Sequence, residues 1–242
     1  MLPLATSAHL PISVGMNAIA NQPLAVLCSG GLDSAILLAE ALHHCPAVHP
    51  LYVRFGLAWE EVEMSHLRRF LVAVAHPSLR PLVVLQQPVT DLYGKHWSLT
   101  GQNVPDAQSP DEAVFLPGRN VLLLAKTMLW CHLHDVPQLA LAPLGSNPFP
   151  DATPAFFQAY SAAVNQSVGG AVRVLLPYGD LHKTDVLHRG AGLPLQHTFS
   201  CIRPIDGQHC GVCNKCAERQ KGFREAGLTD PTPYSQRPSC SA

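Results

Sequence analysis

Apolar residues along this chain fall into two kinds of block that alternate. Short, nearly unbroken runs lie at 24–28, 48–54, 81–85, 138–142 and 172–176. Such runs predict strands covered on both faces. Between them, helices are predicted over 33–44, 59–74, from 116–120 to about His134, 153–164 and 183–189. In the 59–74 stretch, Trp59, Val62, Leu67, Phe70, Leu71 and Val74 form an apolar face, with Glu60, Glu61, Glu63 and Arg68 assigned to the other side. The run 121–125, followed by Met128, Leu129 and Trp130, predicts a largely buried helix. Strands that alternate with helices imply parallel, right-handed crossovers and a doubly wound α/β sheet, Rossmann-like in class. Residues 98–113 break the pattern. They are polar, contain two prolines, and read either as a loose surface loop or as a lid over a ligand site.

Chemistry enters at the first strand. Ala25-Val26-Leu27-Cys28 runs straight into Ser29-Gly30-Gly31-Leu32-Asp33-Ser34 and then into a good helix former. The paired glycines permit a turn that side chains would forbid. Asp33 and Ser34 are placed at the N-cap and first turn. Several backbone N–H groups and the positive end of a helix then point at one spot, and such a spot binds phosphate. No Gly-Lys-Ser/Thr follows, so the loop is not a Walker P-loop, and the GxGxxG of dinucleotide folds is absent. Ser29 to Ser34 resembles the SGGxDS pyrophosphate loop of N-type ATP pyrophosphatases, which split ATP between its α- and β-phosphates to adenylate a substrate. The resemblance implies ATP contacts from Leu27, Cys28, Ser29, Gly30, Gly31, Leu32, Asp33 and Ser34. In a doubly wound sheet, ligands bind outside the carboxyl ends of the strands at the switch point. That brings 145–151, after the fourth strand, to the same cleft.

Composition narrows the partner. The 242 residues are 47% hydrophobic and 14% charged, enough for one large α/β domain with a small appendage. A net charge of −1 supplies no general field for nucleic acid, so a free small molecule is the simpler substrate. No apolar run reaches the ~18 residues of a membrane span. Residues 1–22 carry two prolines and no positive n-region, and read as a flexible leader. The 13 histidines are scattered, and the pairs His43/His44 and His132/His134 read as surface or edge positions. Of eight cysteines, Cys28, Cys45, Cys131 and Cys240 are dispersed, with Cys28 and Cys131 expected in the core. Cys201, Cys210, Cys213 and Cys216 form a cluster with two Cys-x-x-Cys steps. Without a secretory signal, this set points to a metal in a reducing, cytoplasmic compartment. A closed structural Zn²⁺ site is favoured, with a [4Fe–4S] cluster or redox cysteines as the alternatives.

Taken with the glycine loop, the cluster makes 24–231 similar to the 7-cyano-7-deazaguanine synthases of the queuosine pathway. Besides the loop, three stretches carry the resemblance. Pro117-Gly118-Arg119-Asn120 resembles the family's PGRN. Phe149-Pro150-Asp151 resembles its GYPD segment. Ser200 and the four cysteines, with Arg219, Lys221-Gly222-Phe223 and Ala226-Gly227, resemble its zinc segment and following helix. The resemblance implies an adenine nucleotide alpha-hydrolase type of fold at 23–195, a zinc-binding segment at 196–231 and a tail at 232–242. It implies a ligase that adenylates 7-carboxy-7-deazaguanine, forms the amide with ammonia, and activates that amide with a second ATP to leave the nitrile. Asp33 would hold Mg²⁺, Ser29 and Lys183 would meet phosphate charge, and Arg119 would hold the substrate carboxylate. Phe149 and Asp151 would bind the base. A homodimer is expected on the same ground. Strand 2 departs from the family: Arg54-Phe55-Gly56-Leu57-Ala58-Trp59-Glu60 keeps the glycine but lacks the usual glutamine and histidine. Ser146-Asn147-Pro148 replaces acidic and glycine positions. The alternatives are a paralogue that joins the acid to another amine on a protein or nucleic acid, an RNA sulfur transferase of the same fold, and a non-enzymatic zinc module.

Overall fold

The computed structural model describes Ile19 and residues 21–236. Most of the expected leader, and the end of the expected tail with Cys240, lie outside the described residues. Five parallel strands make one sheet in the order β3-β2-β1-β4-β5: β1 (Leu24–Leu27), β2 (Val48–Arg54), β3 (Val83–Gln86), β4 (Gln138–Ala140) and β5 (Arg173–Leu175). Leu24 pairs with Val48 on one side and Gln138 on the other. The chain therefore winds outward through β2 and β3, returns past β1 and winds out again through β4 and β5. The reversal opens a crevice beyond the carboxyl ends of β1 and β4. Pro50 sits inside β2 without breaking the sheet. The Val48 N–H points toward the β3 side, where it meets the carbonyl of Ser78, so the N–H that Pro50 lacks would point the same way. β3 begins opposite Leu51, one position later.

Alternation along β1 shows why its run is unbroken. Leu24 and Val26 enter one core cluster, and Ala25 and Leu27 the other. The first cluster packs under α1 (Leu32–His44), α2 (Glu60–Ala73) and α7 (Lys183–Arg189). The second lies under α5 (Arg119–Leu133) and α6 (Pro154–Val168). Thr153 caps α6 by accepting from the Phe156 N–H, with Pro154 in the first turn and Gly169 closing the far end at φ +62°. Cys28 and Cys131 are buried as expected. No helix among the described residues is long and apolar enough to cross a membrane.

α5 is largely buried as expected: Leu123, Leu124, Met128 and Cys131 face the core, while Leu129 and Leu133 are exposed. Two expectations are corrected. Glu60 and Glu63 do not face solvent but are buried, at 3% and 7% exposure. Residues 98–113 are not a loose loop. They begin inside the single-turn helix α4 (Trp97–Thr100), which follows α3 (Thr90–Tyr93), and contain most of a 3₁₀ turn at Asp111–Val114. Their backbone docks on the cysteine segment, where Ala107 donates to Val212 and Asn214 donates to Pro105, both at 3.0 Å. The segment ends in α8 (Asn214–Glu225), which packs on α7.

Candidate active site

The turn after β1 is built around one glycine. Gly30 has φ +72°, and a Cβ there would stand 2.9 Å from Cγ of Glu63. Gly31 has φ −75° and is itself the N-cap of α1, so Asp33 and Ser34 both lie in the first helical turn and neither is the cap. The Ser34 hydroxyl accepts from the Ser29 N–H at 3.2 Å, and the Ser29 hydroxyl lies 3.2 Å from it. The Phe199 N–H donates to the Gly30 carbonyl at 2.7 Å, tying the turn to the cysteine segment. The Cys28 side chain is buried in the core, and burial pushes its thiol up to about 12. Lys183, at the start of α7, reaches across to Asp33 with Nζ 2.9 and 2.8 Å from the two carboxylate oxygens.

This turn forms one wall of a cleft of about 410 Å³. Ser29, Gly31, Leu32, Asp33, Ser34, Arg119, Phe149, Asp151 and Lys183 all line it, along with Leu27 and Cys28; Gly30 lies behind the wall. The opposite wall starts at Gly118, which holds φ +75° ahead of α5. Arg119 follows with its guanidinium 6.0 Å from the Phe55 ring centre and its Nε buried without a partner. Asn120 clasps Asp151 twice, from its backbone N–H to Oδ2 at 3.1 Å and from Nδ2 to the carbonyl at 2.9 Å. Phe149 stacks on Phe115 at 4.9 Å, and Asn147 accepts the Phe149 N–H at 3.0 Å.

Sequence reasoning missed several groups that line the cleft or, like Glu60, brace it from behind. Trp59 stacks on Trp97 at 5.8 Å at the edge of the cleft. Lys215 and Glu218 come from α8, with Nζ and Oε2 2.6 Å apart. Glu60 accepts from the Phe55 N–H at 2.6 Å and from Arg54 Nε at 3.1 Å, which fixes the turn after β2. Glu63 accepts from the Tyr52 hydroxyl at 2.5 Å. Burial pushes the Glu63 carboxyl up to about 7, although the Tyr52 bond and the Arg119 charge pull the other way. A signal for both glutamates was present. Glu63 is four residues from Trp59 and from Leu67, and Glu60 is four from Met64, so both fall on the apolar stripe.

The four clustered cysteines are buried, and their sulfurs lie within 4.8 Å of one another. Cys201 and Cys213 are 3.9 Å apart, as are Cys210 and Cys216. Thiolates bound 2.3 Å from one tetrahedral ion stand about 3.8 Å apart. Backbone N–H groups of Arg203 and Cys210 point at the Cys201 sulfur at 3.3 Å, as expected around thiolates. The donor set therefore suits one metal ion, and Gly207 and Gly211 turn at φ +76° and +86° to wrap it.

The profile of the family described as "Queuosine biosynthesis protein QueC" matches residues 24–227. A protein named 7-cyano-7-deazaguanine synthase from Methanosphaerula palustris is 32% identical over 222 residues, covering 87% of this chain and 98% of that one. One of the same name from Syntrophus aciditrophicus is 30% identical over 224 residues, covering 85% and 94%. Among solved structures, the U34-tRNA thiolase NcsA from Methanococcus maripaludis aligns with a TM-score of 0.46 at 12% identity, over 85% of this chain and 67% of that one.

Proposed function

The chain belongs to the QueC family of queuosine biosynthesis proteins, and from that premise we propose that it converts 7-carboxy-7-deazaguanine to 7-cyano-7-deazaguanine with ATP and ammonia. One observation carries this reading. The phosphate-type turn at Ser29–Ser34 and the pocket of Arg119, Phe149 and Asp151 open on a single cleft.

A carboxylate is a poor electrophile, and adenylation gives it a leaving group. The turn's amides, the Ser29 and Ser34 hydroxyls and the positive end of α1 would face the polyphosphate. Lys183 would leave Asp33 for phosphate oxygens, meeting the charge that develops as pyrophosphate departs. Asp33, released from that ion pair, would hold Mg²⁺, which when bound neutralises part of the same charge. Arg119 would grip the acid's two oxygens as a planar fork, its unpartnered Nε included. Asp151, oriented by Asn120, would accept from the N–H edge of the base while Phe149 and Phe115 cover its face. Zn²⁺ at Cys201, Cys210, Cys213 and Cys216 would be structural, since four thiolates leave no open position. That site would hold the wall that carries Phe199 and Lys215. A homodimer in the cytoplasm completes the proposal.

The test is purified protein with ATP, Mg²⁺, the acid and ammonia. The expected result is the nitrile by mass, with two AMP per nitrile. AMP with no nitrile, or no AMP, would overturn the assignment.

A further inference from the structure

The proposed reaction must dispose of protons. Ammonia attacks the acyl carbon through its lone pair, the carbon–oxygen bond to AMP breaks, and the electron pair leaves with the phosphate. The new nitrogen then carries one proton too many. The amide, once activated by a second ATP, must also lose its N–H protons as AMP leaves and the nitrile forms. None of Ser29, Asp33, Lys183, Arg119 or Asp151 is free to take them, since each is already given to phosphate, metal, carboxylate or base.

Building on the function proposed above, we infer that Glu63 is the general base that takes the proton from the attacking nitrogen. The carboxylate lines the cleft and is 7% exposed. It stands at the junction of the two halves of the cleft: its Cγ packs against Gly30, which joins the lining residues Ser29 and Gly31 on the phosphate side, and the charge of Arg119, which lines the acid side, acts on it. That junction is where the adenylate's acyl carbon would sit. Charged and titratable groups face Glu63 from each neighbouring element: Tyr52 from β2, Arg119 from α5 and Glu60 from its own helix. Tyr52 holds one carboxylate oxygen at 2.5 Å and so fixes the direction in which the group points. A carboxyl raised to about 7 is matched to accepting a proton near neutral pH. The proton passes to solvent through the open side of the cleft.

The test separates the half-reactions in Glu63→Gln. Exchange of pyrophosphate into ATP, driven by the acid, reports adenylation alone. Amide formation is measured at fixed free ammonia across pH 5.5–9. The expected result is a 10²- to 10⁴-fold fall in amide formation, with exchange lowered less than tenfold. The wild-type rate should fall below about pH 7, and the variant's should not. Tyr52→Phe, which keeps the carboxyl but removes a bond that favours its ionised form, should move that fall to higher pH. Equal losses in both half-reactions would make Glu63 a structural support and overturn the inference. So would amide formation within threefold of wild type, or an unmoved pH profile in Tyr52→Phe. Absence of exchange in the wild type would instead overturn the proposed function, and this inference with it.

Discussion

Replacing Arg219 by Met should cost about 3 kcal/mol. Arg219 is 1% exposed and stands on α8, facing the 195–200 stretch and Thr232. Its guanidinium donates to Thr232 Oγ1 at 2.6 Å, Thr198 Oγ1 at 2.9 Å, Ser200 Oγ at 3.2 Å and the Leu195 carbonyl at 3.0 Å. Asp230 lies 3.9 Å away. Four bonds from a charged donor, each about 1.5–3 kcal/mol, exceed the several kcal/mol that burying the charge costs. Two features limit the loss. Leu195 keeps the Thr198 hydroxyl at 2.7 Å. Asp230 keeps the Tyr234 hydroxyl at 2.5 Å. The balance is about 3 kcal/mol, or roughly 6–12 °C in melting temperature at this chain length. Arg219→Lys should recover less than half, because an ammonium cannot span four acceptors. Urea titration of the metal-loaded protein measures both. A loss under 1 kcal/mol for Arg219→Met would refute the claim that this network holds α8 against the 195–200 stretch and Thr232.

Gly30→Ala should lower stability by about 1–2 kcal/mol through its left-handed φ and cut AMP formation at least tenfold by displacing Glu63; Gly31→Ala, at φ −75°, should be milder in both assays. Chelation should release one zinc per chain and expose the backbone amides of 201–216 to hydrogen exchange, and Cys213→Ser should do the same; iron with labile sulfide in the purified protein would contradict zinc. Glu63 binds its proton more tightly folded than unfolded, so ionising it opposes folding and its share of stability falls as pH rises from 4.5 to about 7. Glu63→Gln should therefore be more stable than wild type by about 3 kcal/mol at pH 8 and about 1 kcal/mol at pH 5 in urea titrations of metal-loaded protein.

The core of the fold was legible because its signals are local. The β1 run, the glycine turn and α1 follow one another without a gap, and the Cys-x-x-Cys steps mark a donor set that could hold a metal ion. What stayed hidden depends on contacts distant in sequence. Asp33 meets Lys183 across 150 positions. The bonds of 105–107 go to the cysteine segment, so no period along 98–113 could reveal them. For Glu60 and Glu63, charge argues for solvent and position for the core. Their spacing put them on the apolar stripe, and the buried backbone N–H of Phe55 and hydroxyl of Tyr52 supply partners that sequence does not show.

The central claim is that the carboxylate in the Arg119 pocket attacks ATP held at the Ser29–Ser34 turn. Acid labelled with ¹⁸O in both carboxylate oxygens tests it most directly. Adenylation moves one labelled oxygen into each AMP, first from the acid and then from the amide. The account predicts two singly labelled AMP for every nitrile formed. Unlabelled AMP would mean that ATP is cleaved without joining the acid, and would contradict it.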